Sequence, residues 1–198
     1  MMRRAGLPAL LLAAGAAVGS LVGCAAPFPD SPSEAAANFP AGGIPTQVLW
    51  PSDWLEGIAG ESEAIGGRIV GLGLEYRDDT WVWRVTSTDP EMDWTGEQVA
   101  DPLRGREALL DAETLTPLQQ RHVSLPESAA VHIDVGTAEA ARLSGEIYPD
   151  PRLIALELTE ESGEPHWEAT MMRMETGRIF ERSIPALGEG ELIPPAKP

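Results

Sequence analysis

Setting residue n against residue n+84 without gaps brings two stretches of this chain into register, and that internal repeat limits the fold more than any other feature. Arg68-Ile69-Val70-Gly71-Leu72-Gly73-Leu74 falls on Arg152-Leu153-Ile154-Ala155-Leu156-Glu157-Leu158, and Trp83-Arg84-Val85-Thr86 falls on Trp167-Glu168-Ala169-Thr170. Apolar residues at every second position mark a strand with one buried face. Val70, Leu72 and Leu74 share one face, as do Ile154, Leu156 and Leu158, while Trp81, Trp83 and Val85 alternate like Trp167, Ala169 and Met171. Arg84 and Glu168 then fall on the opposite face, where truncation costs little.

Each copy thus reads as a strand, a turn and a second strand bearing an inward tryptophan. The turns, Tyr76-Arg77-Asp78-Asp79-Thr80 and Glu160-Glu161-Ser162-Gly163-Glu164, are polar and suited to hairpins. A third strand is expected at Glu107 to Leu110, across an acidic insertion from Ser87 to Gly105, and in the second copy at Arg178-Ile179-Phe180, after the tight turn Met174-Glu175-Thr176-Gly177. A short helix is expected before each pair of strands. Asp53 and Thr137 are its N-caps, Glu56 and Glu139 sit early where the helix dipole favours acids, and the apolar stripes are Trp54, Leu55, Ile58, Ala59 and Ala140, Leu143, Ile147. The expected fold class is α+β: two small repeats, each a helix packed on an antiparallel sheet of about three strands.

The chain opens with Met1-Met2-Arg3-Arg4, runs through an apolar stretch from Ala5 to Val18 and reaches Leu21-Val22-Gly23-Cys24. A charged start, an apolar centre and small residues before a cysteine resemble the bacterial lipobox, in which a peptidase cuts ahead of a lipidated cysteine. The resemblance implies a signal peptide over 1–23 and a lipid on Cys24. The competing reading is an uncleaved membrane anchor, against which stand the Ala and Gly content of the stretch and the place of the cysteine. Cys24 is the only cysteine, so no intramolecular disulfide can form. Acyl chains at about 0.8 kcal/mol per buried methylene would hold such a protein on the extracytoplasmic face of a cell membrane.

Residues 24–46 are rich in Pro, Ala, Ser and Gly without apolar periodicity and read as a flexible tether; 188–198 read as a disordered tail. The repeats occupy 47–120 and 121–187. Loss of Arg3 and Arg4 with the signal peptide takes the formal charge from -17 to -19, which disfavours nucleic acid and anionic surfaces as partners.

The repeat resembles the PepSY domain, a small exported module of secreted-peptidase propeptides and bacterial lipoproteins. The second copy supplies Ala138-Glu139-Ala140-Ala141, Tyr148-Pro149, Arg152 to Leu158, His166-Trp167-Glu168-Ala169 and Thr176-Gly177-Arg178-Ile179. The first supplies Arg68 to Leu74, Trp83-Arg84-Val85 and Asp111-Ala112-Glu113-Thr114, with Leu115 where the family motif has glycine. The resemblance implies a non-enzymatic role, with a peptidase or other exported protein as partner and no catalytic residues to carry over.

The residues themselves offer no assembled chemistry. His122, His132 and His166 lack the i, i+4 spacing that puts two imidazoles on one helical face, so they read as ordinary surface or edge-strand residues, and no metal or cofactor is expected. No Gly-x-Ser-x-Gly elbow occurs, and Gly66-Gly67 and Gly71-x-Gly73 are followed by no Gly-Lys-Ser/Thr, so close packing is the simpler account of these glycines. Asp78-Asp79, Glu160-Glu161 and Asp89-x-Glu91-x-Asp93 read as solvated turns among 31 acidic residues. Of the six tryptophans, Trp50 and Trp94, both near prolines, are candidates for exposed partner contacts. The reading that follows is a lipid-anchored, non-enzymatic binding or regulatory module of the cell envelope, with a small-ligand-binding lipoprotein or an unrecognised hydrolase as alternatives.

Overall fold

The computed structural model describes residues 27–58, 64–89, 91–92, 98–99 and 101–188, of which 91–92 and 98–99 in backbone alone. The signal-peptide stretch, Cys24 and Trp94 lie outside the described residues, as does nearly all of the expected tail.

The chain runs α1 (Pro51–Ile58), β1 (Ile69–Arg77), β2 (Thr80–Thr88), β3 (Glu91–Met92), β4 (Gln98–Val99), β5 (Arg104–Asp111), β6 (Pro117–Ser124), α2 (Thr137–Leu143), β7 (Arg152–Glu161), β8 (Glu164–Met172) and β9 (Ile179–Pro185). β3 and β4 pair only with each other; the remaining strands form one antiparallel sheet in the order β6-β5-β2-β1-β7-β8-β9. This overturns the expected α+β pair of helix-on-sheet repeats. The fold is mainly β, because β1 and β7 pair directly and join the two hairpins into a seven-stranded sheet. The expected boundary at 120/121 cuts through β6, a strand the polar sequence Gln119-Gln120-Arg121-His122 did not announce.

The 84-residue correspondence is nonetheless visible in the pairing. Leu74 faces Trp83 as Leu158 faces Trp167, and both first strands shift register at equivalent points, between Ile69 and Gly71 and between Leu153 and Ala155. At that bulge Val70 has no partner, so Ile69 rather than Val70 keeps step with Leu72 and Leu74. Both hairpins close on two residues with positive φ, Asp78-Asp79 and Ser162-Gly163, the geometry that matches the right-handed twist of the flanking strands.

One face of the sheet carries Trp83, Leu110, Leu156, Trp167, Met171 and Ile184, all fully buried, and α1 and α2 lie side by side against it. Each central indole N–H donates to a backbone carbonyl just ahead of a helix: Trp83 to Leu49 O at 2.8 Å, Trp167 to Val135 O at 2.8 Å. These acceptors, and the helix starts at Pro51 and Thr137, are 86 residues apart, so the helices run two residues out of step with the strands. That shift moves the caps. Asp53 is inside α1, its N–H bonded to Trp50 O, and the cap of α2 is Gly136; Thr137 instead turns inward and donates to Ile69 O at 2.5 Å. Ile147 falls beyond α2 and is 60% exposed, so the stripe expected through it stops at the helix end.

Trp50, a candidate exposed contact, is instead buried. It meets Trp83 edge-on at 6.4 Å, and Arg152 lies over its ring at 4.4 Å. The acidic insertion is shorter than its expected span: Ser87, Thr88, Arg104 and Gly105 belong to β2 and β5.

Candidate functional site

The face turned away from the helices holds the unexpected chemistry. Alternation puts Arg84 there, as the sequence requires, but Arg84 is 6% exposed, with Glu75 and Glu107 equally enclosed. Arg84 Nε donates to Glu75 Oε1 at 2.6 Å and Nη1 to Glu107 Oε1 at 2.7 Å. The row extends outward at both ends, through Arg77 to Glu75 and through Arg121 to Glu107 at 2.6 Å. Burial alone would loosen the Arg84 proton; the hydrogen bonds and charges of Glu75 and Glu107 more than reverse this, and the guanidinium is held protonated more firmly than in water. The expectation of a solvated, expendable Arg84 is therefore corrected.

The cover over this ladder is the segment read as a tether. The Arg84 and Arg121 guanidinium groups lie over the Phe28 ring at 5.3 and 4.5 Å, and Arg84 Nη2 reaches Pro29 O at 3.1 Å and Asp30 O at 3.3 Å, with Arg77 also donating to Asp30 O. Farther on, Asn38 Nδ2 donates to Tyr76 O at 2.5 Å and Phe39 meets Trp81 edge-on at 4.7 Å. A segment without apolar periodicity still docks here, because its carbonyls and two aromatic rings satisfy cations and indoles already fixed by the sheet.

Between this strap and the middle of the sheet lies a half-open trough of about 340 Å³. Its floor is Gly71 and Gly73 of β1 with Ala155 of β7, flanked by Thr86 and Thr170; Ser31 to Ala35 form the roof. Nothing lies within 4 Å of where a Gly73 side chain would start, so this glycine leaves space open instead of serving close packing. The Glu75–Arg84–Glu107 ladder closes one end. At the other, Glu157 stands beside its register partner Glu168. Shielding from solvent, and then the like charge of Glu168, hold the Glu157 carboxyl above the usual carboxylate range, although much of the side chain is exposed. Glu34 adds a further carboxylate on the roof.

The histidines lie apart. His122 Nδ1 is 2.9 Å from Asp89 Oδ2, a carboxylate also held by Arg104 and Arg106 at the root of the insertion. His132 Nε2 meets Asp134 at 3.2 Å, and His166 Nε2 meets Thr159 Oγ1 at 2.8 Å. Among the described residues no three His, Cys, Asp or Glu side chains converge as a metal site would require.

No protein-family model matches the chain, so the PepSY resemblance rests on its quoted motifs alone. No curated protein matches it either. Among solved structures, a protein of Clostridium difficile 630 described as a putative lipoprotein aligns with 64% of this chain and 79% of its own at 12% identity, with a TM-score of 0.37. At that score the likeness carries nothing about function. Among the described residues no helix is long and apolar enough to cross a membrane.

Of all this, only the floor left a mark in the sequence: Gly71 and Gly73 interrupt an apolar strand, which reads as close packing and proves at Gly73 to be open space. The ladder was missed because Arg84, Glu75 and Glu107 are far apart in sequence and each is ordinary by itself.

Proposed function

We propose that the chain is a lipid-anchored protein of the cell envelope, held through Cys24 on the extracytoplasmic face, and that it acts as a non-catalytic binding module whose site is the trough on the open face of the sheet. The observation that carries this reading is the roof: the trough is covered by the chain's own Ser31–Ala35, which begins seven residues after the lipobox cysteine. Seven peptide units span at most about 25 Å, so a lipid on Cys24 would keep the roof and the trough within that reach of the bilayer. A volume of about 340 Å³ suits a small molecule or one side chain of a larger partner.

The anchor is tested by metabolic labelling: wild-type protein should take up labelled fatty acid and fractionate with membranes, and Cys24→Ser should do neither. The binding site is tested by native mass spectrometry of protein taken from its own envelope. A small molecule should accompany the wild type and be missing from Gly73→Val, whose added side chain enters open space. Equal spectra for the two proteins would refute the site.

A second reading, an exported protein such as a peptidase as partner, has β6 in its favour. This strand forms one edge of the sheet, with side chains exposed at every second position, and an open edge can accept a strand from another chain. Crosslinking from the native envelope, with a proline placed in β6 as control, tests it; recovery unchanged by the proline would count against the edge.

A further inference from the structure

The charges around the trough differ in how far they are already engaged. Arg84 is the cation of the lining, and its donors are taken: Nε and Nη1 by Glu75 and Glu107, Nη2 by Glu75 and by the carbonyls of Pro29 and Asp30. An anion entering the trough would find no free guanidinium. Glu75 and Glu107 are likewise engaged, by Arg77, Arg84 and Arg121. Glu157 and Glu34 are not held in this way: neither forms an ion pair among the described residues, and Glu157 stands against Glu168 across the β7–β8 register. The free charge of the trough is therefore negative, and an incoming cation would remove a repulsion that the empty fold carries.

The floor fits a slender group. Gly71 and Gly73 expose backbone where their partners on the neighbouring strands are Thr86 and Arg84 on one side and Glu157 and Ala155 on the other, so an unbranched chain can lie along the trough with its charged end toward Glu157. Thr86 and Thr170 offer hydroxyl groups on either side of it.

We propose that the trough binds an organic cation, a primary ammonium or guanidinium group on an unbranched aliphatic stem, with Glu157 as its counter-charge, Glu34 closing over it from the strap, and Gly73 making room for the stem. This rests on the trough being a binding site at all.

The experiment uses the full chain extracted in mild detergent and follows its melting temperature and calorimetric heats with defined probes: 1,5-diaminopentane and arginine amide as cations, glutarate as an anion and sorbitol as a neutral compound. The cations should raise the melting temperature, and their affinity should fall as salt is added. Glu157→Gln should weaken them roughly ten-fold or more, the worth of one charge-assisted hydrogen bond, and Gly73→Val should abolish binding. Glu160→Gln, on the exposed end of β7, should leave affinity unchanged. Cation binding that ignores both Glu157→Gln and Gly73→Val would reflect the acidic surface in general and overturn the proposal. Binding of glutarate or sorbitol alone, lost in Gly73→Val, would overturn the choice of a cation and leave the trough as a site. No response to any probe would remove both.

Discussion

Leu72 and Leu156, equivalent residues of the two repeat copies, pair with each other at the centre of the sheet. On either side Gly71 faces Glu157, the counterpart of Gly73, and Gly73 faces Ala155, the counterpart of Gly71. This is the pairing of a two-fold axis between the strands. The axis makes one sheet from two hairpins, since each copy offers the other the same bare edge. Leu72→Ala and Leu156→Ala should each cost roughly 2 to 5 kcal/mol as core truncations. Their effects should not add in the double variant, because both empty the same central site. Denaturant melts of the two single variants and the double variant measure this, and strict additivity would place the residues in separate cores.

Trp83 and Trp167 are fully buried and each anchors the segment that leads into a helix. Truncation of either to alanine should cost roughly 3 to 5 kcal/mol. Phenylalanine in their place keeps most of the apolar surface but strips the Leu49 or Val135 carbonyl of its indole donor, for roughly 1 to 3 kcal/mol. Equal stability of the Trp→Phe variants and the wild type would mean that water replaces the lost donor.

Arg84 and Glu168 hold equivalent places in the repeat and opposite places in the energetics. Arg84→Ala leaves Glu75 and Glu107 buried without their shared cation and should cost roughly 3 to 5 kcal/mol, whereas Glu168→Ala should be neutral or slightly favourable. Replacing Glu75, Arg84 and Glu107 together by apolar residues of similar volume should restore much of what Arg84→Ala loses. Chemical denaturation of the three proteins decides, and a mild Arg84→Ala would show the ladder to be hydrated.

These contrasts show what the sequence could reveal. Alternation and the 84-residue spacing placed the hairpins, the inward tryptophans and both turns, because each is set by residues close together in the chain. They could not reveal that the hairpins join at Leu72 and Leu156, since strand edges carry no side-chain signature. The buried faces of Arg84 and Trp50 were hidden for a related reason: what covers them, Phe28 in one case and Arg152 in the other, arrives from distant sequence. β6 escaped because an edge strand exposed on alternate positions reads as a polar loop.

Leu115 stands where the resembled motif has glycine, and its φ of 57° lies in the left-handed region. Gly177, at the corresponding turn of the second copy, has φ of 68°. Asp111 holds the Leu115 turn by accepting from the N–H groups of Glu113 and Thr114 at 3.0 and 2.8 Å. Leu115 also packs against the core, so simple removal of its side chain mixes two effects. Comparing Leu115→Gly with Leu115→Ala separates them, for both lose the packing and only alanine keeps the backbone strain. Glycine should be the more stable by about 1 kcal/mol, the reverse of its usual deficit. An alanine variant as stable as glycine would show that the turn relaxes.

Glu157 supplies a dependence on pH of defined sign. Its proton affinity in the fold lies above that of an ordinary glutamate, through shielding first and Glu168 second, so its charged form opposes folding. That penalty is fully present above the folded-state pKa, shrinks as pH falls through it, and is gone below the unfolded value of about 4.3. Glu157→Gln, in protein freed of any ligand, should therefore melt higher than wild type near neutral pH, with the two curves converging as the solution is acidified. Added salt should narrow the gap at neutral pH by screening Glu168. Thermal melts of both proteins from about pH 3 to pH 8 measure this. A Glu157→Gln protein that melts lower than wild type at neutral pH would mean that the carboxylate has a cationic partner in the folded chain, and the charge left free in the trough would then have to be reassigned to Glu34.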